Sequence, residues 1–243
     1  MKRILLFLSA VFIATTAIAH TINWYVDGNI FHTTTCESGE NITPPTAPEK
    51  YGYTFKGWEP KFTRIEYLQG STTSYIDTQY TANTTTSIKT RIQFETVTNN
   101  KSFVFGGGSG GMELYPWGSK LEFNYSNKIY WGKDVKNNDI LELSWNKNII
   151  EYTINNSDSY FIETADVYFK DYAPLYLYTL YRANTPSNIK IYYFQIYDND
   201  VLVRDFIPIL DIKGVPCMYD KVERKFYYNA GTGDFIAGPI IGE

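Results

Sequence analysis

The sequence predicts an all-β protein in which two antiparallel sheets stack face to face behind a small N-terminal β unit. Aromatic residues make up 17% of the chain, and 22 of them are tyrosines. Tyrosine favours pleated sheet, where its ring packs while its hydroxyl stays in water. Short runs of alternating apolar and polar residues recur between turn residues, and no long stretch has helical periodicity. Many short strands of this kind are typical of a sandwich or a barrel.

The first 19 residues have the order of a secretory signal peptide. Two basic residues at positions 2–3 precede an apolar run over residues 4–14, and Ala17-Ile18-Ala19 supplies small residues at a cleavage position. The apolar run is shorter than the ~20 residues that a membrane-spanning helix needs. We therefore expect residues 1–19 to be removed and His20 to become the N-terminus. An uncleaved N-terminal anchor is the alternative.

The charge of the chain argues against two classes of partner. The formal net charge is −4, and loss of the two basic residues makes the mature chain more acidic. An acidic protein has no electrostatic reason to bind nucleic acid or an anionic membrane surface. We expect a secreted protein, outside the cell or on its surface, with the periplasm as the alternative. No membrane insertion is expected after the signal peptide is removed.

Residues 20–60 predict a small β module. Two β-rich runs, 22–26 and 30–33, flank Asp27-Gly28, a dipeptide that favours a hairpin turn because the turn needs positive φ. After a proline-rich connection the unit closes on GYTFKGW, residues 52–58. This order resembles the Listeria–Bacteroides repeat, a β-grasp-like module of bacterial surface proteins, although the Asn-Gly-Gly turn of that repeat is missing. The aromatic side chains expected to form its core, or as the alternative a binding surface, are Trp24, Phe55 and Trp58.

Residues 61–243 predict the sandwich itself. The run 87–95 alternates with period two, which turns Ile88, Ile92 and Phe94 toward the interior. The run 189–197 is apolar on both faces, and so it predicts a central strand that is covered on each side.

Two stretches of the sandwich carry a family resemblance. Residues 66–78, EYLQGSTTSYIDT, and residues 190–238, which include KIYYFQIYDNDVLVRDFIP and MYDKVERKFYYNAGTGDF, are similar to the first and last strands of laminin-G-like domains of secreted bacterial proteins. The resemblance implies a two-sheet antiparallel jelly-roll sandwich, concanavalin A-like, that binds a glycan or a protein. One departure is Asp200, which stands where the YDN motif of the family is usually followed by glycine.

The residues do not predict catalysis. A jelly-roll glycosidase needs two acidic residues that alternate on one strand and lie about 5 Å apart. Glu142 and Glu151 are single acids on otherwise apolar strands. The two histidines, His20 and His32, precede the sandwich, and no serine lies in a G-x-S-x-G elbow. We expect no enzyme activity and no catalytic residue, with a glycoside hydrolase as the distant alternative.

Four aromatic residues are the candidate ligand-binding residues. Tyr115 and Trp117 flank Pro116, which should keep this stretch out of a central ladder and place it in a loop. Tyr130 and Trp131 form a second pair near a turn. Exposed aromatic rings offer flat apolar faces that suit the C–H face of a sugar. The sequence therefore predicts a binding rim made by these four rings; the alternative is that they close one end of the sandwich.

No metal and no cofactor are predicted. Asp198 and Asp200 flank an asparagine in a predicted turn, and turn chemistry accounts for them without calcium, which takes about 6 to 8 oxygen ligands. The glycine-rich run 106–111 lacks the lysine and the helix of a phosphate-binding loop and predicts a surface loop. Cys36 and Cys217 either form a disulfide after export or remain two free thiols.

Taken together, these features predict a secreted, non-catalytic recognition module whose partner is a glycan or another cell-surface ligand. The alternative is a structural or adhesive surface protein that binds another protein, for example through open sheet edges. The sequence predicts neither the identity of the ligand nor the oligomeric state.

Overall fold

The structure is a computed structural model of the chain. It describes residues 19–37, 40–55, 57–71, 73–98, 102–108, 111–165, 169, 171, 173–181 and 187–242. The expected signal peptide therefore lies outside the described residues, apart from Ala19. The chain divides between Glu59 and Pro60 into two compact units.

All regular structure in the described residues is β, and none of them lies in a helix, so the predicted all-β class is confirmed. In particular, the described part of the chain contains no helix with the length and apolarity needed to cross a bilayer. The strands are β1 (Ala19–Val26), β2 (Asn29–Glu37), β3 (Thr63–Arg64), β4 (Leu68–Gln69), β5 (Ile76–Asp77), β6 (Thr86–Phe94), β7 (Phe105–Gly106), β8 (Met112–Trp117), β9 (Lys120–Tyr125), β10 (Lys128–Asp134), β11 (Ile140–Asn146), β12 (Ile149–Ile154), β13 (Tyr160–Glu163), β14 (Tyr176–Leu177), β15 (Ile189–Asp198), β16 (Val201–Leu210), β17 (Pro216–Asp220), β18 (Lys225–Tyr227) and β19 (Ile236–Ala237).

The first unit is built on the antiparallel hairpin of β1 and β2. Its turn is the predicted Asp27-Gly28, with φ of 49° and 80°. The Trp58 ring lies 5.2 Å from Trp24 and 5.2 Å from Phe55, measured between ring centroids. Trp24 and Trp58 are half-buried and Phe55 is exposed, so the predicted core trio forms one cluster with an open side. Membership of this unit in a repeat family stays a prediction.

The second unit contains two antiparallel sheets in a sandwich-like arrangement. The smaller sheet has six strands in the order β10-β9-β8-β7-β14-β5. The larger has eleven, with β13-β12-β11-β6-β15-β16-β17-β18 as its main path and β3, β4 and β19 attached beside it. The predicted antiparallel sandwich is confirmed at this level of detail.

The core lies between these two sheets. Trp145 of the larger sheet is fully buried, and its ring packs against three rings of the smaller sheet, Phe105, Phe123 and Tyr125, at centroid distances of 6.2, 5.7 and 5.9 Å. Large apolar rings of this kind contribute most of the free energy that burial supplies. The predicted inward positions of β6, Ile88, Ile92 and Phe94, are also fully buried.

The prediction that residues 189–197 are covered on both faces is wrong. One face of β15 is buried, as at Phe194 and Ile196, whereas Tyr193 and Tyr197 on the other face are half-buried. Their hydroxyls donate to Glu142 Oε2 at 3.0 Å and to Gln195 Oε1 at 3.1 Å. A tyrosine counts as apolar in a sequence pattern, but its hydroxyl group lets it serve an outer face.

The prediction that Pro116 keeps its segment in a loop is also wrong, because Met112–Trp117 forms β8 inside the smaller sheet. The Pro116 carbonyl accepts from the Ser102 N–H at 3.5 Å, on the side away from β9. The N–H and C=O of one strand residue point to the same side, so the missing N–H of Pro116 removes no bond to β9. Strand β7 pairs with Leu114 and Glu113, and beyond it the bond from Ser102 uses the carbonyl group that proline keeps.

Candidate functional site

The outer face of the six-stranded sheet is the face opposite the core, and the register of β8, β9 and β10 determines which side chains it carries. Tyr115 pairs with Glu122, which in turn pairs with Trp131. Residues directly opposite each other in antiparallel strands lie on the same face. The neighbouring row contains Trp117, Lys120 and Asp134. We call these two rows the Trp face; its members are Tyr115, Trp117, Lys120, Glu122, Trp131 and Asp134.

Two indole rings are the exposed aromatic groups of the Trp face. Trp117 is 48% exposed and Trp131 is 52% exposed. They stand on β8 and β10, two strand spacings apart, or about 10 Å in the hydrogen-bonding direction. A bulge between Trp131 and Asp134 interrupts the regular pairing of β10, and bulges of this kind alter the direction of nearby side chains.

Polar groups of the Trp face share a cross-strand row with Trp117. Lys120 and Asp134 are exposed cross-strand neighbours. The Ser119 hydroxyl donates to Asp134 Oδ1 at 3.1 Å. The face therefore offers a cation, a carboxylate and a hydroxyl group beside two flat apolar surfaces.

Tyr115 lies beneath this surface. It is fully buried, and its hydroxyl donates to Glu122 Oε1. Burial raises the pKa of Tyr115, and the hydrogen bond to the Glu122 carboxylate raises it further. The phenol therefore stays protonated and acts as a donor that holds Glu122 in place.

Tyr130, the fourth predicted binding residue, faces the other side of the sheet. Its ring packs against the core, and its hydroxyl accepts from the Ala165 N–H at 2.8 Å. The structure thus places Tyr115, Trp117 and Trp131 on one face and Tyr130 on the opposite one. Of the four, Trp117 and Trp131 have exposed rings, and a binding role for them stays a prediction.

Two glutamates share the outer face of this sheet but are closed to solvent. Glu113 is 3% exposed and Glu122 is 0% exposed. Asn124, the strand partner of Glu113, donates through Nδ2 to Glu113 Oε2 at 3.2 Å. A glycosidase needs two carboxyl groups that reach the same substrate bond, and these two are engaged by neighbouring side chains. The absence of catalysis itself stays a prediction.

The sequence did not identify Asp171, which is buried beside the glycine-rich run. Its carboxylate accepts from the Met112 N–H, and Gly107, Gly108 and Gly111 are themselves buried, contrary to the surface loop expected there. Ser109 and Gly110 lie outside the described residues. Burial raises the pKa of Asp171 to about 7; the Met112 hydrogen bond opposes this shift, and the nearby Glu113 carboxylate adds to it.

The turn at residues 198–200 is held by protein groups. The Thr85 hydroxyl donates to Asp198 Oδ1, and Asp200 forms an ion pair with Lys147 at 3.0 Å. The described residues contain no group of three or more acidic, histidine or cysteine side chains arranged to hold a metal ion.

Comparison with known proteins supports the fold. A scan against known protein families gives no match, and no curated protein matches the sequence. Among solved structures, the chain is similar to a proposed carbohydrate-binding protein from Bacteroides ovatus, with a TM-score of 0.52 and 13% sequence identity. The match covers 74% of this chain and 62% of that protein. At this identity the similarity shows a shared β-rich fold.

Proposed function

We propose that the protein is a secreted, non-catalytic recognition protein that binds a glycan on its Trp face. The observation that carries the proposal is the pair of half-exposed indole rings, Trp117 and Trp131, on one sheet face that also carries the exposed Lys120 and Asp134. Flat aromatic faces pack against the C–H surfaces of sugar rings, and a few placed polar groups fix the orientation of the hydroxyls.

Two further observations support the proposal. The structural neighbour from Bacteroides ovatus is described as a proposed carbohydrate-binding protein, which agrees with the ligand class that the Trp face suits. Glu113 and Glu122, the acids on the same sheet face, are closed to solvent. A sugar on the Trp face would meet aromatic rings and hydrogen-bonding groups rather than a pair of open carboxylates. A concanavalin A-like jelly roll is the finer fold that we propose for the sandwich.

A glycan array with the mature chain tests this function. We expect one class of glycan to bind, with Trp117→Ala and Trp131→Ala each weakening binding at least tenfold and the double variant abolishing it. Phe161→Ala is the matched control, because Phe161 is an exposed ring on β13 at the edge of the other sheet. Equal binding by the double variant and the wild type would show that the glycan does not bind on the Trp face.

Secretion is proposed from the N-terminal sequence. Expression in a Gram-negative host followed by N-terminal sequencing should give a mature chain that begins at His20. Recovery from the periplasm or the medium would separate the two proposed locations. A chain that retains its first 19 residues in the membrane fraction would favour the uncleaved anchor.

A protein partner is the second candidate, and the first unit favours it. Ile30, Phe31 and Tyr53 are large apolar side chains that are exposed in this unit, and its two-stranded sheet has unpaired edges in the described residues. Exposed apolar groups and open edges are typical of protein-binding surfaces. A partner whose binding is lost in Phe31→Asp and kept in the Trp117→Ala, Trp131→Ala double variant would support this function.

A further inference from the structure

A pocket of about 260 Å³ opens on the outer face of the eleven-stranded sheet. It lies over the first half of β6, between β11 on one side and β15 on the other. The lining residues are Ser87, Ile88, Lys89, Ser144, Trp145, Asn146, Tyr197 and Asp200. Ile88 and Trp145 turn their side chains into the core, so the groups that face a ligand are polar or tyrosyl.

The pocket exists because two small residues stand among larger ones. Ser87 pairs with Asn146 on one side and with Tyr197 on the other, and Ser144 pairs with Lys89. The serines leave a hollow in the outer face, and the longer neighbouring side chains form its walls. The strand register fixes all of these positions.

The lining residue Asp200 forms an ion pair. Lys147, in the turn between β11 and β12, meets Asp200, in the turn between β15 and β16, at 3.0 Å between Nζ and Oδ2. Both residues have positive φ, 53° and 65°, which is the conformation of tight hairpin turns. The two turns therefore hold the pair in a fixed place beside the start of β6.

The pocket presents mainly hydrogen-bond donors. The Ser87 hydroxyl donates to Asn146 Oδ1 at 3.0 Å, which leaves the Nδ2 group of Asn146 as a donor for a ligand. Lys89 Nζ stands 5.4 Å from the Tyr197 ring centroid. Within the described part of the chain, no carboxylate forms an ion pair with this ammonium group. The Ser144 hydroxyl adds a third donor, whereas the Asp200 carboxylate is the one charged acceptor.

We propose that this pocket binds a single sugar residue that carries a carboxylate, that is, a uronic acid. Lys89 would pair with the carboxylate, because its ammonium group forms no ion pair in the described residues and charge-assisted hydrogen bonds to a carboxylate are strong. Asn146 and Ser144 donate to ring or hydroxyl oxygens, and Asp200 accepts from a hydroxyl. The volume lies just below the range of about 300 to 1,000 Å³ that is typical of drug-sized ligands, so it suits one sugar ring rather than an extended chain.

This uronate site is separate from the Trp face, since the two lie on the outer faces of different sheets. It adds a ligand class, an acidic monosaccharide unit, that the proposed glycan function does not specify. Neither site requires the other, and variants at the two sites therefore test them independently.

Titration calorimetry with the mature chain tests the site. The probes are sodium galacturonate and sodium glucuronate, with galactose, glucose and sodium acetate as controls. We expect a uronate to bind at least tenfold more tightly than its neutral sugar and than acetate, and added salt to weaken this binding. Lys89→Met should weaken uronate binding at least tenfold, and Asn146→Ala should also weaken it. Lys128→Met, an exposed lysine of β10 on the other sheet, is the matched control and should have no effect.

Thermal unfolding of each variant shows whether it is folded before it is titrated. Lys89→Arg, which keeps the charge, should retain most of the affinity and excludes a general effect of substitution at this position. No uronate binding by the wild type, binding equal to that of acetate, or full binding by Lys89→Met would overturn the proposal. Uronate binding that persists in the Trp117→Ala, Trp131→Ala double variant confirms that this site does not depend on the Trp face.

Discussion

The carboxylate of Asp171 lies directly against Gly111, so close that a Cβ on residue 111 would stand 1.2 Å from Oδ1. Asp171 also lies close to Gly107, since a Cβ on residue 107 would stand 2.5 Å from Oδ2. Gly107 and Gly111 are therefore required by a single side chain far along the sequence. They give the buried carboxyl group its space rather than cradling a phosphate.

Gly111→Ala should destabilise the protein by about 1–3 kcal/mol, because the added methyl group overlaps the buried Asp171 carboxylate and overpacking strains the core. Urea unfolding measures the change in the free energy of unfolding. Gly242→Ala is the control, since a Cβ at residue 242 meets nothing within 4 Å. Adding Asp171→Ala to Gly111→Ala should cost less than the sum of the two single changes. Additive losses would show that the two residues do not compete for the same space.

Asp171 should make stability depend on pH. Its pKa is raised from 3.8 to about 7 in the folded state, so between these values the folded protein binds more protons than the unfolded one. Its contribution to the free energy of unfolding therefore falls as the pH rises from about 4 to about 7, by roughly 1.4 kcal/mol per pH unit. Above about pH 7 this contribution is constant. Asp171→Asn removes this dependence and keeps an oxygen for the Met112 N–H. Urea unfolding from pH 4 to 8 should show that the free energy of unfolding of the variant increases relative to that of the wild type as the pH rises. The same pH dependence in both proteins would contradict the assignment of the raised pKa to Asp171.

Tyr115→Phe should lower the free energy of unfolding by about 1–3 kcal/mol, because it removes the hydrogen-bond donor from the Glu122 carboxylate, which stays buried. Chemical denaturation gives the value. Tyr228→Phe removes a hydroxyl that bonds to Asp211 at the surface and should change stability by less than about 0.5 kcal/mol. Equal decreases in the free energy of unfolding of the two variants would mean that the burial of Glu122 does not determine the effect of losing the hydroxyl group.

The two cysteines should react at very different rates. Cys217 is buried, and burial together with the Asp211 carboxylate raises the pKa of its thiol to about 12. Cys36 is half-buried in the first unit, and both thiols are free in the structure. Ellman's reagent at pH 8 should therefore modify one thiol per native chain, at Cys36, and two in urea. If the reagent modifies no thiol in either condition, the two cysteines form a disulfide instead.

Local patterns in the sequence predicted the strands whose two faces differ in polarity. The alternation of β6 identified Ile88, Ile92 and Phe94 as buried, and Asp27-Gly28 identified the first hairpin. These features depend only on neighbours in the sequence, so they can be inferred without knowing how the strands pair.

Features that depend on pairing were predicted less well. Pro116 fits into β8 because its missing N–H points away from β9, which no pattern near Pro116 shows. Glu122 is polar in an alternating strand and would be expected to face water, but it is fully buried and accepts from Tyr115 on the neighbouring strand. Trp117 and Trp131 have exposed rings, whereas Tyr130 faces the core because adjacent residues of a strand point to opposite faces. The prediction placed this pair near a turn and not within β10, and so it assigned both rings to one rim.

The bulge in β10 also affects the open edge of the six-stranded sheet. This strand is the outermost one of its sheet and carries an exposed indole, a combination that invites strand-to-strand aggregation. The break in pairing after Trp131 and the lysines at positions 128 and 133 leave another chain without a flat, uncharged edge to extend. Trp131 is therefore exposed on a strand whose shape and charge disfavour edge-to-edge pairing.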